Sequence, residues 1–164
     1  FTGAQSMGEQ LAARALSVLG SAPETAGPEL SAREQLLVLP LANPVFFEAL
    51  QGGLIARPTG EVTPTDPYYN PYGVGFETSV GAVGVGPAQL VVFPGEAFPE
   101  LGLRIKSYMS GSTGFFVGLG NDELGYIMDE YEYGQPPHEY EATMCVGPGT
   151  GMLLQQAVLD LLNE

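Results

Sequence analysis

The sequence predicts a single α/β domain over residues 1–164, built as a layered mixed sheet of about four to five strands with flanking helices. Three observations carry that expectation: a helical apolar stripe at each end of the chain, short apolar runs suited to strands between them, and strands interleaved with helices. At 164 residues with 45% hydrophobic content, the chain has the length and the apolar stock for one core.

The elements follow in order. In "SMGEQLAARALSVLG", Ser6 and Glu9 stand in capping-box spacing, Met7, Leu11, Ala15, Val18 and Leu19 share a helical face, and Gly20 stops the helix. A polar Pro/Gly stretch from Ser21 to Glu29 precedes a short apolar run, Gln35 to Leu41, suited to a buried strand. Asn43-Pro44 opens a short helix to about Leu50. Pro58, Pro64, Pro67 and Pro71 predict a long surface loop over residues 56–75, in which Tyr68, Tyr69 and Tyr72 can pack. Phe76 to Val85 and Ala88 to Phe93 flank Gly86-Pro87 as a hairpin. A helix from about Phe98 to Tyr108, a turn at "SGSTG" (110–114), a strand over Gly114 to Leu119 and a helix carrying Leu153, Leu154, Ala157, Val158, Leu161 and Leu162 complete the chain.

Nineteen Asp and Glu against five Lys and Arg give a formal charge of -14, which repels phosphate backbones and anionic lipid, so nucleic acid is excluded as a partner. No apolar run approaches the roughly 20 residues of a transmembrane segment. Cys145 is the only cysteine, which rules out an intrachain disulfide and a cysteine zinc cluster. The start at Phe1 is read as that of a processed or truncated product.

Few motifs point to chemistry. "SGSTG" lacks the G-x-S-x-G spacing of a hydrolase elbow and reads as a turn. "GPGTG" at 147–151 precedes a helix but has no Walker lysine. His138, the only histidine, follows two prolines and reads as a solvated loop residue, so zinc held by this chain alone would rest on one imidazole and carboxylates. Seven acidic residues between Asp122 and Glu141 read first as a solvated face and second as a functional edge. Placement favours the edge: Glu96 follows one apolar strand and Asn121 another, and parallel strands would end on one side of the sheet, where ligands bind.

In order, "FPGEAFPELGLRI", "VGLGNDELGYI", "EYEYG" and "HEYEATMCVGPGTG" resemble the last part of the catalytic region of the neutral/alkaline (non-lysosomal) ceramidase-like family. The first helix and "LPLANPVF" resemble segments upstream of it. The resemblance implies that the domain belongs to a larger catalytic unit. It implies a zinc site held by two upstream histidines, the glutamate of Pro-Gly-Glu and the second tyrosine after Gly-Leu-x-Asn; the last two match Glu96 and Tyr126. Gly95 and Asn121 match neighbouring motif positions. Glu123 stands where the family has its first tyrosine, and Met128-Asp129 where it has Thr-Thr, so the substrate-facing surface differs. The resemblance further implies zinc as cofactor, hydrolysis of an N-acyl sphingoid or related amide, the N-terminal portion of the same polypeptide as partner, and a secreted or membrane-peripheral protein.

Two functions stand at this point. In one, the chain is the C-terminal part of a zinc amidohydrolase, inactive alone, with Glu96 and Tyr126 as metal ligands. In the other it is a non-catalytic α/β scaffold or interaction module, in which Glu96 caps the following helix. No catalytic group is assigned.

Overall fold

The computed structural model describes residues 1–24, 27–63, 68–110 and 113–163. The elements run α1 (Thr2–Ser21), β1 (Leu30–Pro40), α2 (Pro44–Gln51), β2 (Thr59–Glu61), β3 (Val74–Val85), β4 (Ala88–Val92), β5 (Glu96–Ala97), α3 (Pro99–Tyr108), β6 (Thr113–Val117), β7 (Tyr126–Ile127), α4 (Glu139–Thr143) and α5 (Thr150–Asn163). The chain folds as an α/β domain around a mixed five-stranded sheet of order β1-β3-β4-β6, with β2 paired to β3. The β4–β6 ladder is parallel and the others in this sheet are antiparallel. A second, two-stranded sheet joins β5 to β7 in parallel.

Period-two patterning gives the sheet its inner face. Leu37 and Leu39 of β1, Phe76, Val80 and Ala82 of β3, Val91 of β4 and Phe116 of β6 lie on one side by register. They pack into one core with Leu101 and Ile105 of α3 and Leu154, Ala157, Val158 and Leu161 of α5. At α5, the predicted stripe is the buried one except at Leu162, which is half-buried, and Leu153, which stays exposed.

Several elements differ from expectation. The first helix starts four residues before Ser6, so Ser6 lies inside it and accepts from Gln10 Nε2 at 3.1 Å instead of capping. None of its residues is buried, because no other described element packs on its apolar face. β1 is longer than the predicted strand and lies at the sheet edge, so its residues alternate in exposure instead of being buried on both faces. The loop over 56–75 contains β2, whose short ladder to β3 has no periodic signal; its Pro64 and Pro67 lie outside the described residues, as do Gly111 and Ser112 of the "SGSTG" turn and Thr25 and Ala26 of the polar stretch. The hairpin β3–β4, α2 and α3 form where the sequence places them.

Two polar ties lock the layers. Asn43 is 2% exposed; its Oδ1 caps α2 by accepting from Val45 N at 2.9 Å and Phe46 N at 3.3 Å, while its Nδ2 donates to Thr143 O and Cys145 O at 2.8 Å each. Arg104 of α3 donates through Nη1 to Asp129 Oδ1 at 3.1 Å and Gln155 Oε1 at 3.0 Å, with Nη2 on the other Asp129 oxygen. Asp129 is one of the seven acidic residues, so part of that segment is an internal ion pair and not a solvated face.

Asn43→Ala removes a cap and strands two carbonyls, and is expected to cost about 2–4 kcal/mol in denaturant unfolding. Cys145 is fully buried, and burial pushes its thiol up to about 11. It should therefore resist thiol reagents at pH 8 in the folded chain and react at once after denaturation, which a labelling time course will check.

Candidate functional site

The site forms where two strands leave the sheet. Parallel pairing of β4 with β6 sends both chains out at the same edge, and backbone hydrogen bonds then lace the exits together. Phe93 N donates to Val117 O at 2.9 Å, Leu119 N to Gly95 O at 3.1 Å, Gly120 N to Phe93 O at 3.0 Å and Leu124 N to Pro94 O at 2.9 Å. β5 and β7 extend the lacing, with Glu96 N on Gly125 O and Phe98 N on Ile127 O, both at 2.9 Å.

In this ladder Glu96 is the register partner of Tyr126. Parallel partners point to the same side of the sheet, so a carboxylate and a phenol stand beside each other. Their proximity has an electrostatic signature: the Glu96 carboxylate, followed by burial and the nearby Tyr140 and Glu141, holds the Tyr126 phenol above its ordinary range. Tyr140 sets its ring edge-on to Tyr126 with centroids 6.1 Å apart.

Close approach of the two exits depends on two glycines. A Cβ at Gly95 would lie 2.7 Å from Gly125 O and 2.7 Å from Ile127 Cδ1. At Gly125, φ is 80° and a Cβ would lie 2.1 Å from Met144 O, to which Tyr126 N donates through the adjacent position of the ladder. Nearby, Leu119 and Asn121 take positive φ values of 55° and 67° without being glycine, a conformation that is costly for a bulky residue and sustained here by the laced loops.

The loop at Asn121 is held by its neighbour. Asn121 is exposed and makes no side-chain hydrogen bond among the described residues, whereas Asp122 anchors the loop. β2 pairs with residues 74–76 of β3 and β4 with residues 81–85, leaving an interval along that edge. There Asp122 Oδ2 accepts from Thr78 Oγ1 at 2.7 Å and from Arg57 Nη2, while Arg57 lies over the Phe76 ring at 4.7 Å. Nothing in the sequence pattern marks that pairing, since Arg57 and Asp122 are 65 residues apart. Glu123 is exposed and lines a cleft of about 210 Å³ with Phe46, Ile55 and Leu124.

His138 is half-buried at the start of α4, edge-on to Phe98 with ring centroids 4.9 Å apart, and so is packed where a solvated loop residue was expected. Glu96 does not cap α3: the cap residue is Phe98, and no side chain bonds the helix start.

Among the described residues no group of three or more His, Cys, Asp and Glu converges to hold a metal. The donors at the laced exits nevertheless suit part of a cation site. Glu96 and Glu141 both act on the Tyr126 phenol, and Glu141 Oε2 is buried without a hydrogen-bond partner. A cation would relieve both conditions, and zinc accepts carboxylate oxygen.

No protein-family model and no curated protein matches the chain. Solved structures share its fold. Neutral ceramidase from Pseudomonas aeruginosa superposes with a TM-score of 0.57 at 20% identity, over 92% of this chain and 31% of its own. A ceramidase complexed with C2 superposes with a TM-score of 0.58 at 20% identity, over 92% of this chain and 32% of its own. The chain thus spans about a third of the length of the structures it matches.

Glu96→Gln should lower the Tyr126 ionisation toward the ordinary phenol range, read by ultraviolet difference titration against Tyr126→Phe. Because the folded phenol ionises after the unfolded one, whose value is near 10.0, Tyr126 adds stability that is intact below that pH and is lost as pH rises through the folded value. Gly125→Ala, which meets both a positive φ and a backbone oxygen, should destabilise the fold by more than about 2 kcal/mol in denaturant unfolding.

Proposed function

We propose that this chain is the C-terminal part of a ceramidase-like, zinc-dependent amidohydrolase acting on an N-acyl sphingoid or related amide. In this reading Glu96 and Tyr126 supply two metal ligands, and histidines elsewhere in the polypeptide complete the shell. The observation that carries it is the register pairing of Glu96 with Tyr126 at the edge where parallel strands end, with the carboxylate pressing on the phenol. The shared fold with ceramidase structures three times as long supports the partial character of the site. The rival scaffold reading needs a structural task for Glu96, and helix capping is not that task.

When bound, zinc would supply Lewis acidity, polarising an amide carbonyl and acidifying water at the site. The chain's own residues do the rest. Glu96 brings the negative charge that a divalent ion needs, and its backbone is fixed by the bond to Gly125 O. Tyr126 stays protonated at neutral pH, with the Glu96 carboxylate the chief cause and Glu141 adding to it, and a bound cation would favour the phenolate instead. Tyr140 limits the ring positions open to Tyr126. Glu123 puts a carboxylate beside an apolar cleft near the same loop, which would select against anionic substrate headgroups.

In the longest native polypeptide, Glu96→Gln should lose zinc by at least about 100-fold in affinity together with turnover, while Glu100→Gln, on the exposed start of α3, keeps most of each. Metal analysis and amidase assays on the two variants check this, and equal losses in both would refute ligation by Glu96. The 164-residue chain alone should show no turnover, since two oxygen donors hold zinc too weakly.

A further inference from the structure

The five-stranded sheet has a second face that the fold leaves bare. Register puts Leu36 and Val38 of β1, Leu90 and Val92 of β4, and Phe115 and Val117 of β6 on the side opposite α3 and α5. None of the six belongs to the core, and Leu36 is 79% and Phe115 50% exposed. An antiparallel-rich sheet that faces water normally alternates apolar with polar residues, and here both sets are largely apolar. Glu34, Glu77, Ser79 and Thr113 are the polar interruptions, and among the described residues no basic side chain pairs with either glutamate. A groove of about 470 Å³ runs from Leu36 and Val38 to Asn121 and Asp122, so the bare face reaches the loop that carries Tyr126.

We propose that this face is a sheet-on-sheet interface, covered by a β-sheet that the rest of the ceramidase-like polypeptide supplies, with basic residues opposite Glu34 and Glu77. The inference rests on the proposed function, which makes the chain part of a longer polypeptide. Three observations select this occupant. In solved structures of the same fold, about two-thirds of the chain lies outside the part this domain matches, which is enough for another layer. A second copy is disfavoured, because each copy bears a formal charge of -14 and the acidic groups of the face would meet their own kind. Ser79, Gly81, Val83 and Val92 near the centre of the face are small or β-branched, and such a surface stacks on another sheet at about 10 Å. α1 has the same need of cover: a lone 20-residue helix with exposed Met7 and Leu11 is marginal in water.

Thiol labelling tests the interface, since the native Cys145 is buried and should not compete for the reagent in the folded chain. Leu36→Cys and Phe115→Cys are placed on the face, and Gln156→Cys on the exposed side of α5 serves as control. In the 164-residue chain all three should label fast. In the longest native polypeptide the two face positions should label roughly 100-fold more slowly, because reaction then waits on local opening, while position 156 keeps its rate. A benzophenone attached at position 36 should cross-link to an upstream segment with period-two apolar patterning. Equally fast labelling of the face in both proteins overturns the proposal, as does cross-linking to a second copy or to an upstream helix. None of these readouts needs metal, so loss of zinc binding with the face still protected would refute the metal reading and leave the interface standing.

Discussion

Everything at the candidate site depends on the backbone lacing between the exits of β4 and β6. Parallel pairing brings the exits to one edge, and a few N–H to O=C bonds carry the pairing past the end of the sheet into β5 and β7. That ladder is only two residues long, anchored by Ile127 in the core, and the absence of Cβ atoms at two glycines lets the chains close. The strained backbone at Leu119 is the local cost of routing a short loop over the same point, while Asn121 accepts its positive φ readily.

Charge is distributed with equal economy. With five basic residues in the whole chain, two are committed to ion pairs that fix loops to the sheet and helices: Arg57 to Asp122 and Arg104 to Asp129. No basic side chain is paired with Glu96 or Glu141 among the described residues, and the orphaned Glu141 oxygen shows that the corner is acidic without internal compensation. Such a corner is stable in water only with a cation, a proton or solvent near it.

Much of the architecture was legible in the sequence, and what escaped it follows a physical pattern. The hairpin of β3 and β4, α2 with its Asn43 cap, α3 and α5 all have a local cause: a turn dipeptide, a cap, or a full apolar period. β2, β5 and β7 are two or three residues long, and their pairing is decided by chains far away in sequence, so no window contains the signal. The juxtaposition of Glu96 with Tyr126 was legible as two strand exits on one edge, but Asp122, Tyr140 and Glu141 were not. Their roles come from contacts with Arg57, Thr78 and Tyr126 that neither period nor spacing encodes. The apolar stripe of α1 was legible too, although none of its residues is buried.

The edge position of β1 has a practical consequence. Along its eleven residues one row of N–H and C=O groups pairs with β3, while the other has no strand beside it among the described residues. Its protection is slight, with Arg33 and Glu34 as the only charges before Gln35 and the apolar run to Leu39. Proteins that leave such an edge open tend to add strands from neighbouring molecules and grow into fibres or amorphous aggregates. Purified by itself, this domain would hold the open edge in check chiefly through its charge of -14, so salt that screens the repulsion is what would bring strand addition from neighbouring copies into play.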